Sequence, residues 1–168
     1  MSVDRDTGTV WTRKVGENGP FVTRAFFCVH PHTVNPARAD YIGVVTDLVV
    51  TSWDEADLAI VARTPVPIYI VLGFSSANFQ GSATLNVTFH PPLPAQPILV
   101  HRELVPFEGG AHGTNITILA SVVPERPGIA WVTVHLDDVL MTKFPLIVEH
   151  KVDPEMERPI NLSVLGGQ

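Results

Sequence analysis

The chain has 168 residues and a formal net charge of −6, and charged residues make up only 17% of it. This length predicts a single domain with one hydrophobic core. The sequence contains only three lysines, too few for the basic surface that binding to nucleic acid requires. Valine, isoleucine and threonine account for 48 residues, and these residue types favour β-strands. The composition therefore predicts an all-β protein without a nucleic-acid partner.

Two features of the sequence predict a cytoplasmic location. The N-terminal residues Met1–Asp6 are charged and lack the apolar run of a secretory signal, and no apolar stretch reaches the ~20 residues that span a bilayer. The single cysteine, Cys28, cannot form an internal disulfide, as is typical of a reducing compartment. We expect a buried, inert thiol at this position and no membrane partner.

The pattern divides the chain into three parts. Residues 1–20 are polar and unpatterned and predict an N-terminal arm, residues 21–151 carry strand patterns, and residues 152–168 form a C-terminal tail of mixed character.

The first half of the patterned region contains several short apolar runs. The segment 21–29 is apolar on both faces and predicts a central strand that ends at Pro31, with a loop over 32–40. A second strand is expected over 41–51, followed by a polar break at 52–56. Two further strands, 58–63 and 68–74, are expected on either side of a proline-containing break.

The second half has the clearest alternation. Leu85, Val87 and Phe89 are expected to face the core, while the intervening polar residues face water. The proline-rich segment 91–97 is suited to carry the chain from one sheet to the other. A strand over 98–105 and a glycine-rich loop over 108–113 come next. The last predicted elements are an inward face at Ile116, Ile118, Ala120 and Val122 and a β-hairpin turning at Asp137–Asp138.

About eight or nine short strands with regular turns and no helix predict an immunoglobulin-like two-sheet sandwich with N- and C-terminal arms. A closed β-barrel is the alternative.

The order of features from Phe26 to Val148 resembles a family of small uncharacterised bacterial β-sandwich proteins. The resemblance is carried by Phe26-Phe27-Cys28, Ile42-Gly43-Val44-Val45, Pro127-Gly128 and Phe144-Pro145-Leu146-Ile147-Val148. Where the family tends to place an aspartate after the cysteine, this sequence has Val29-His30-Pro31-His32. The resemblance implies a β-sandwich architecture in a bacterial protein. It implies no particular activity, because a fold does not define a function.

One local pattern has the form of a metal site. His30 and His32 are two residues apart, and such residues project from the same face of a strand, so both imidazoles could bind one zinc or iron ion. A third ligand would have to come from His90, His112, His135 or a carboxylate such as that of Asp40. Surface or interface histidines are the favoured interpretation, and no catalytic residue or cofactor is predicted.

Three other motifs give little support for a catalytic or nucleotide-binding function. The Gly109–Gly113 segment matches no nucleotide-binding fingerprint and is expected to be a flexible connector. Asp54-Glu55-Ala56-Asp57 resembles a helicase motif but has no phosphate-binding loop to accompany it, so a solvated loop is expected. The C-terminal Gly166-Gly167-Gln168 resembles the tail of the prokaryotic ubiquitin-like modifier, which makes tagging a remote alternative function.

The low charge fraction and apolar average favour a non-catalytic protein-interaction or assembly module, self-associating or part of a larger complex. Contacts from the two terminal segments are expected to contribute. The alternatives are a metal-dependent enzyme built on the His30/His32 pair and a module that binds a small ligand or a glycan. Among the three tryptophans, Trp53 is the candidate for stacking on a ligand, whereas Trp131 is expected in the core or an interface.

Overall fold

The chain folds into two mainly antiparallel β-sheets packed face to face. A computed structural model describes residues 2–3, 10–11, 14–16, 18–35 and 38–156, of which 2–3, 10–11, 32–35 and 38–42 are described by their backbone alone. Within these residues the strands are β1 (Ser2–Val3), β2 (Val10–Trp11), β3 (Phe21–Asn35), β4 (Arg38–Val45), β5 (Asp47–Ser52), β6 (Val66–Ala77), β7 (Gly81–His90), β8 (Ile98–Phe107), β9 (Gly110–Val122), β10 (Gly128–Leu136) and β11 (Val139–Val152), and the helix is α1 (Glu55–Val61).

One sheet has the strand order β5-β11-β10-β7-β8 and the other the order β4-β3-β6-β9, while β1 and β2 form a separate pair. This is the predicted immunoglobulin-like two-sheet sandwich. All neighbouring strands are antiparallel except β5 and β11, which are parallel. Within the described residues, β8 pairs only with β7 and β9 pairs only with β6. Each of these two strands therefore forms an edge of its sheet.

The core lies between the two sheets and follows the alternation of their strands. In β7 the inward residues Ala83, Leu85, Val87 and Phe89 are buried, with at most 5% of their surface exposed, which confirms the predicted face. The predicted inward face of β9 is also confirmed, since Ile118, Ala120 and Val122 are buried and Ile116 packs against the core. Val15, which precedes the first long strand, also belongs to the core. Whether residues 1–20 act as an arm stays a prediction.

The predicted hairpin between β10 and β11 is present. Asp137 and Asp138, the two turn residues, have φ values of 45° and 68°, which matches a two-residue turn that requires positive φ at both positions. Asp137 also accepts a hydrogen bond through its Oδ1 from the backbone N–H of Thr84, at 2.7 Å. The turn is therefore fixed to the neighbouring strand β7.

Pro31 does not end β3, contrary to the sequence prediction. The strand continues to Asn35 and forms a hairpin with β4, so the predicted loop over 32–40 is wrong. The pairing of β3 with β6 covers only Phe21–Cys28, whereas β4 pairs along the later residues. Beyond Cys28 one edge of β3 has no strand beside it in the described residues, and a proline is tolerated there because its missing N–H removes no ladder hydrogen bond.

The predicted strand over 41–51 is in reality two strands in different sheets. β4 belongs to the four-stranded sheet and β5 to the five-stranded sheet, and the chain changes sheet at Thr46. The carbonyl oxygen of Thr46 accepts a hydrogen bond from the N–H of Ile147 at 3.0 Å, which fixes the switch against β11.

A helix replaces the polar break at 52–56 and the strand at 58–63. Asp54 is the N-cap of α1, and its Oδ1 accepts a hydrogen bond from the N–H of Asp57 at 2.8 Å. Glu55 and Asp57 place negative charge in the first turn, where it interacts favourably with the helix dipole. The acidic motif is therefore a helix start rather than a loop.

The two remaining corrections concern crossings between sheets. The proline-rich segment 91–97 joins β7 to β8 within one sheet, so it does not carry the chain across the sandwich. After β8 the chain crosses to the other sheet at Glu108–Gly109, and β9 begins at Gly110, inside the segment predicted as a glycine-rich loop. Gly109 and Gly110 have φ values of 79° and 67°, a conformation that glycine adopts without strain.

Candidate functional site

The two free strand edges at one side of the sandwich form the most distinctive surface. We call this surface, made by β8 and β9 and the grooves beside them, the open side. A groove of about 350 Å³ lies between the two strands, lined by Glu103–Pro106 of β8 and Thr114–Thr117 of β9. A second groove of about 320 Å³ is lined by residues of the β7–β8 connection, by Ile98 and by Val123, Glu125 and Arg126.

The open side exposes large apolar side chains. Leu104 is 68% exposed and Leu119 is 61% exposed, although each belongs to a well-formed strand. Ile98, Leu99 and Val123 are also exposed. Leu104 and Leu119 each lie on the outer face of their own sheet, next to buried residues of the same strand, and Ile98 and Val123 line the second groove together. Exposed apolar surface of this kind can mark a contact site.

Two polar side chains enter the same region from β8. His101 and Glu103 occupy alternate positions of the strand, and His101 Nε2 lies 3.3 Å from Glu103 Oε1. Both residues are half-buried, and they pair with Val87 and Leu85, which face the core. Glu103 therefore brings a carboxylate to the inner side of β8, next to the groove. Arg102 points to the opposite face.

The predicted metal pair is placed on the other side of the molecule. His30 is exposed on β3, where it pairs with Ile42, and His32 pairs with Asp40. The side chains of His32 and Asp40 lie outside the described part of the structure. His90 and His135 lie in the other sheet, and His112 lies on β9, separated from β3 by β6. None of these three histidines is brought to His30.

Two histidines of the five-stranded sheet have hydrogen-bonding partners of their own. His90 Nε2 lies 2.9 Å from Thr133 Oγ1, and His150 Nε2 lies 2.7 Å from the carbonyl oxygen of Pro124. Within the side chains that the structure describes, no group of three or more histidine, cysteine, aspartate or glutamate residues has the arrangement of a metal site. The His30/His32 pair stays a prediction.

Trp131 does not lie in the core, and the stacking role of Trp53 stays a prediction. Trp131 is half-buried on the outer face of the five-stranded sheet rather than in the core, and the ammonium of Lys143 lies 4.0 Å from its ring centroid. This is the geometry of a cation–π interaction, so one ring face is already occupied. Trp53 is half-buried beside the start of α1. The tail residues Gly166-Gly167-Gln168 lie outside the described residues.

Cys28 is fully buried in β3, with 0% of its surface exposed. Burial removes water from around the thiol and raises its pKa above the ordinary value. Because the thiolate is the reactive form, it is populated only at higher pH than in an exposed cysteine.

We expect Cys28 to be unreactive in the folded protein. Iodoacetamide at pH 8 should modify it at least about tenfold more slowly in the native state than in urea, since both access and thiolate formation require opening of the sheet. Mass spectrometry of timed samples measures both rates, and equal rates would contradict the buried position.

In the described residues, no helix is long and apolar enough to cross a membrane. No protein-family model and no curated protein matches the chain.

Several solved structures are similar to parts of the chain. An immunoglobulin-like protein from Pseudomonas aeruginosa matches with 13% identity and a TM-score of 0.41, covering 80% of this chain and 100% of that chain. A β-glucosidase from Listeria innocua matches with 13% identity and a TM-score of 0.42, covering 65% of this chain. β-Glucosidase 3B from Thermotoga neapolitana matches with 10% identity and a TM-score of 0.41, covering 49% of this chain. The matched region spans only 15% and 14% of the two glucosidase chains, and at these levels of similarity the matches carry no argument about function.

Proposed function

We propose that this chain is a non-catalytic protein-interaction module that associates with further copies of itself. The observation that carries the proposal is the exposed apolar surface of the open side, where Leu104 and Leu119 stand more than half exposed on edge strands. Removing such surface from water is favourable by roughly 25 cal/mol for each Å² buried. Contact with another protein is the process that would bury it.

The chemistry of the same surface supports binding of a protein rather than catalysis. The groove between β8 and β9 is lined by one carboxylate, that of Glu103, and otherwise by apolar, hydroxyl and amide side chains. A general acid–base or nucleophilic mechanism needs a second titratable group positioned toward a bound substrate. In the described residues His101 is the group near Glu103, and it already lies against that carboxylate.

Self-association predicts a mass above that of the 18.3 kDa chain. Light scattering coupled to size-exclusion chromatography, at micromolar concentration of the full chain, should give an integral multiple of this mass. Raising the salt to about 1 M should leave the mass unchanged, because salt screens charges and does not weaken apolar contacts.

A monomer mass at all concentrations would contradict self-association. A mass that falls to that of the monomer in high salt would contradict an apolar interface, since it would show that ion pairs hold the copies together.

A further inference from the structure

We propose that two copies of the chain pair edge to edge through β9, as antiparallel strands related by a twofold axis. The two four-stranded sheets would then join into one continuous eight-stranded sheet. This inference rests on the proposed self-association and specifies the surface and the partner, which is a second copy of this chain.

From Gly113 to Val122, the edge of β9 has none of the features that keep edge strands apart. Natural sheets protect their edges with charged residues, prolines, bulges, short strands or a covering element. β9 is 13 residues long, Gly110–Val122, and contains no lysine, arginine, aspartate, glutamate or proline. Its pairing with β6 is regular from Gly113 to Val122, and the register shift in this pair falls beyond Ser75, at the start of β9.

The edges of the five-stranded sheet are protected. In β8 a register shift leaves Val100 without a partner, Pro106 lacks an N–H, and Glu103 faces inward. β5 has only six residues, Asp47–Ser52, and α1 lies against it. Each of these features opposes addition of another strand.

The other edge of the four-stranded sheet is interrupted too. β4 contains Gly43 with a φ of +65°, which departs from extended backbone, and it carries the charged residues Arg38 and Asp40. Of the four edge strands in the two sheets of the described structure, β9 is the one with a long, regular and uncharged stretch, which runs from Gly113 to Val122. We therefore assign the pairing between copies to the edge of β9.

A second copy fits this edge because β9 is complementary to itself. In an antiparallel pair about a twofold axis, a residue near the axis lies opposite its own copy, so any charged residue there would meet a like charge. The outward positions of the regular part are Asn115, Thr117, Leu119 and Ser121, all uncharged. With the axis near Leu119, this exposed side chain meets its copy across the new strand pair, and the threonine and serine positions flank it.

The apolar residues beside β9 extend the contact. Strand addition supplies main-chain hydrogen bonds, and side chains at the rim add buried area. Val123 directly follows β9 and is 44% exposed, and Leu104 lies across the groove on β8. Val123, next to the end of β9, stands beside the edge to which the second copy adds, and Leu104 borders the groove next to that edge.

The test places a charge at the proposed axis. Leu119→Lys puts two ammonium groups opposite each other. At micromolar concentration, we expect the mass measured by light scattering to fall from that of the wild-type assembly to that of the unit that remains when the β9 contact is lost. For a wild-type dimer this is a twofold fall in mass. Ile60→Lys, on α1, is the matched control, because Ile60 is exposed to a similar extent, 68% against 61%, and lies on a different surface. The control should keep the wild-type mass.

Charge complementation separates the proposed contact from misfolding. Leu119→Glu alone should also lose the contact, and an equimolar mixture of Leu119→Lys with Leu119→Glu should restore the wild-type mass. Circular dichroism should show the same β-sheet signal for each variant. Restoration supports the proposal directly, because unfolded chains would not reassemble on mixing.

The outcomes distinguish self-association in general from the specific β9 contact. A wild-type chain that is monomeric overturns self-association and the β9 contact together. An oligomer whose mass is unchanged by both Leu119 substitutions overturns the β9 contact alone and leaves self-association through another surface. Loss of mass in the Ile60→Lys control, or no restoration on mixing, also overturns the assignment to β9.

Discussion

Replacing Phe107 with alanine is expected to lower the free energy of unfolding by about 5 kcal/mol, at the upper end of the range for a buried phenylalanine. Phe107 is 3% exposed at the end of β8. Its ring contacts Phe74 at 6.0 Å between centroids and Phe79 at 5.4 Å, both nearly perpendicular. Phe74 belongs to the opposite sheet, so the substitution removes a contact that joins the two layers.

Urea denaturation followed by tryptophan fluorescence measures this loss. Glu108→Ala, at the exposed neighbouring position, is the control and should change stability by less than about 0.5 kcal/mol. A loss below about 2 kcal/mol for Phe107→Ala would show that the aromatic cluster does not bind the sheets together as the geometry indicates.

Phe89→Ala should cost about 3–5 kcal/mol. Phe89 faces inward from β7, a strand with neighbours on both sides, and it is 5% exposed. The cavity left by the ring cannot be filled easily, because the β7 residues on the same face, Leu85 and Val87, are fully buried and are held in place by the sheet.

The control for this second substitution is Thr88→Ala, on the opposite face of the same strand. Thr88 is half-buried and faces away from the core, so its substitution should lower the free energy of unfolding by less than about 1 kcal/mol. Thermal melts compare the two variants. Similar decreases in melting temperature for both variants would contradict the assignment of the inward face, which the alternation of β7 alone already predicts.

Local patterns in the sequence were sufficient where a single strand or turn determines the structure. The inward face of β7 follows from alternation, and the β10–β11 hairpin follows from Asp137–Asp138 between two apolar runs. Helix α1 was missed because it is only seven residues long and packs no fully buried residue of its own. Its signal was Asp54 with acidic residues in the next turn, which is a helix start.

The order of strands in the sheets could not be predicted from these patterns. That β5 pairs with β11, and that β8 stays in the sheet of β7, depends on contacts between residues far apart in the chain. The open side depends on the same information, since an edge exists only where the strand order ends. For this reason the uncharged sequence of β9 indicated an inward face and gave no sign of a free edge.

The parallel pairing of β5 with β11 constrains how the chain folds during synthesis. Asp47 pairs with Ile147 and Ser52 with Val152, so β5 leaves the ribosome about 100 residues before its partner. The four-stranded sheet requires only residues up to Val122, and long-range pairings of this kind form slowly. The nascent chain must therefore keep the apolar residues of β5, among them Leu48 and Val50, from pairing wrongly until the last strand emerges.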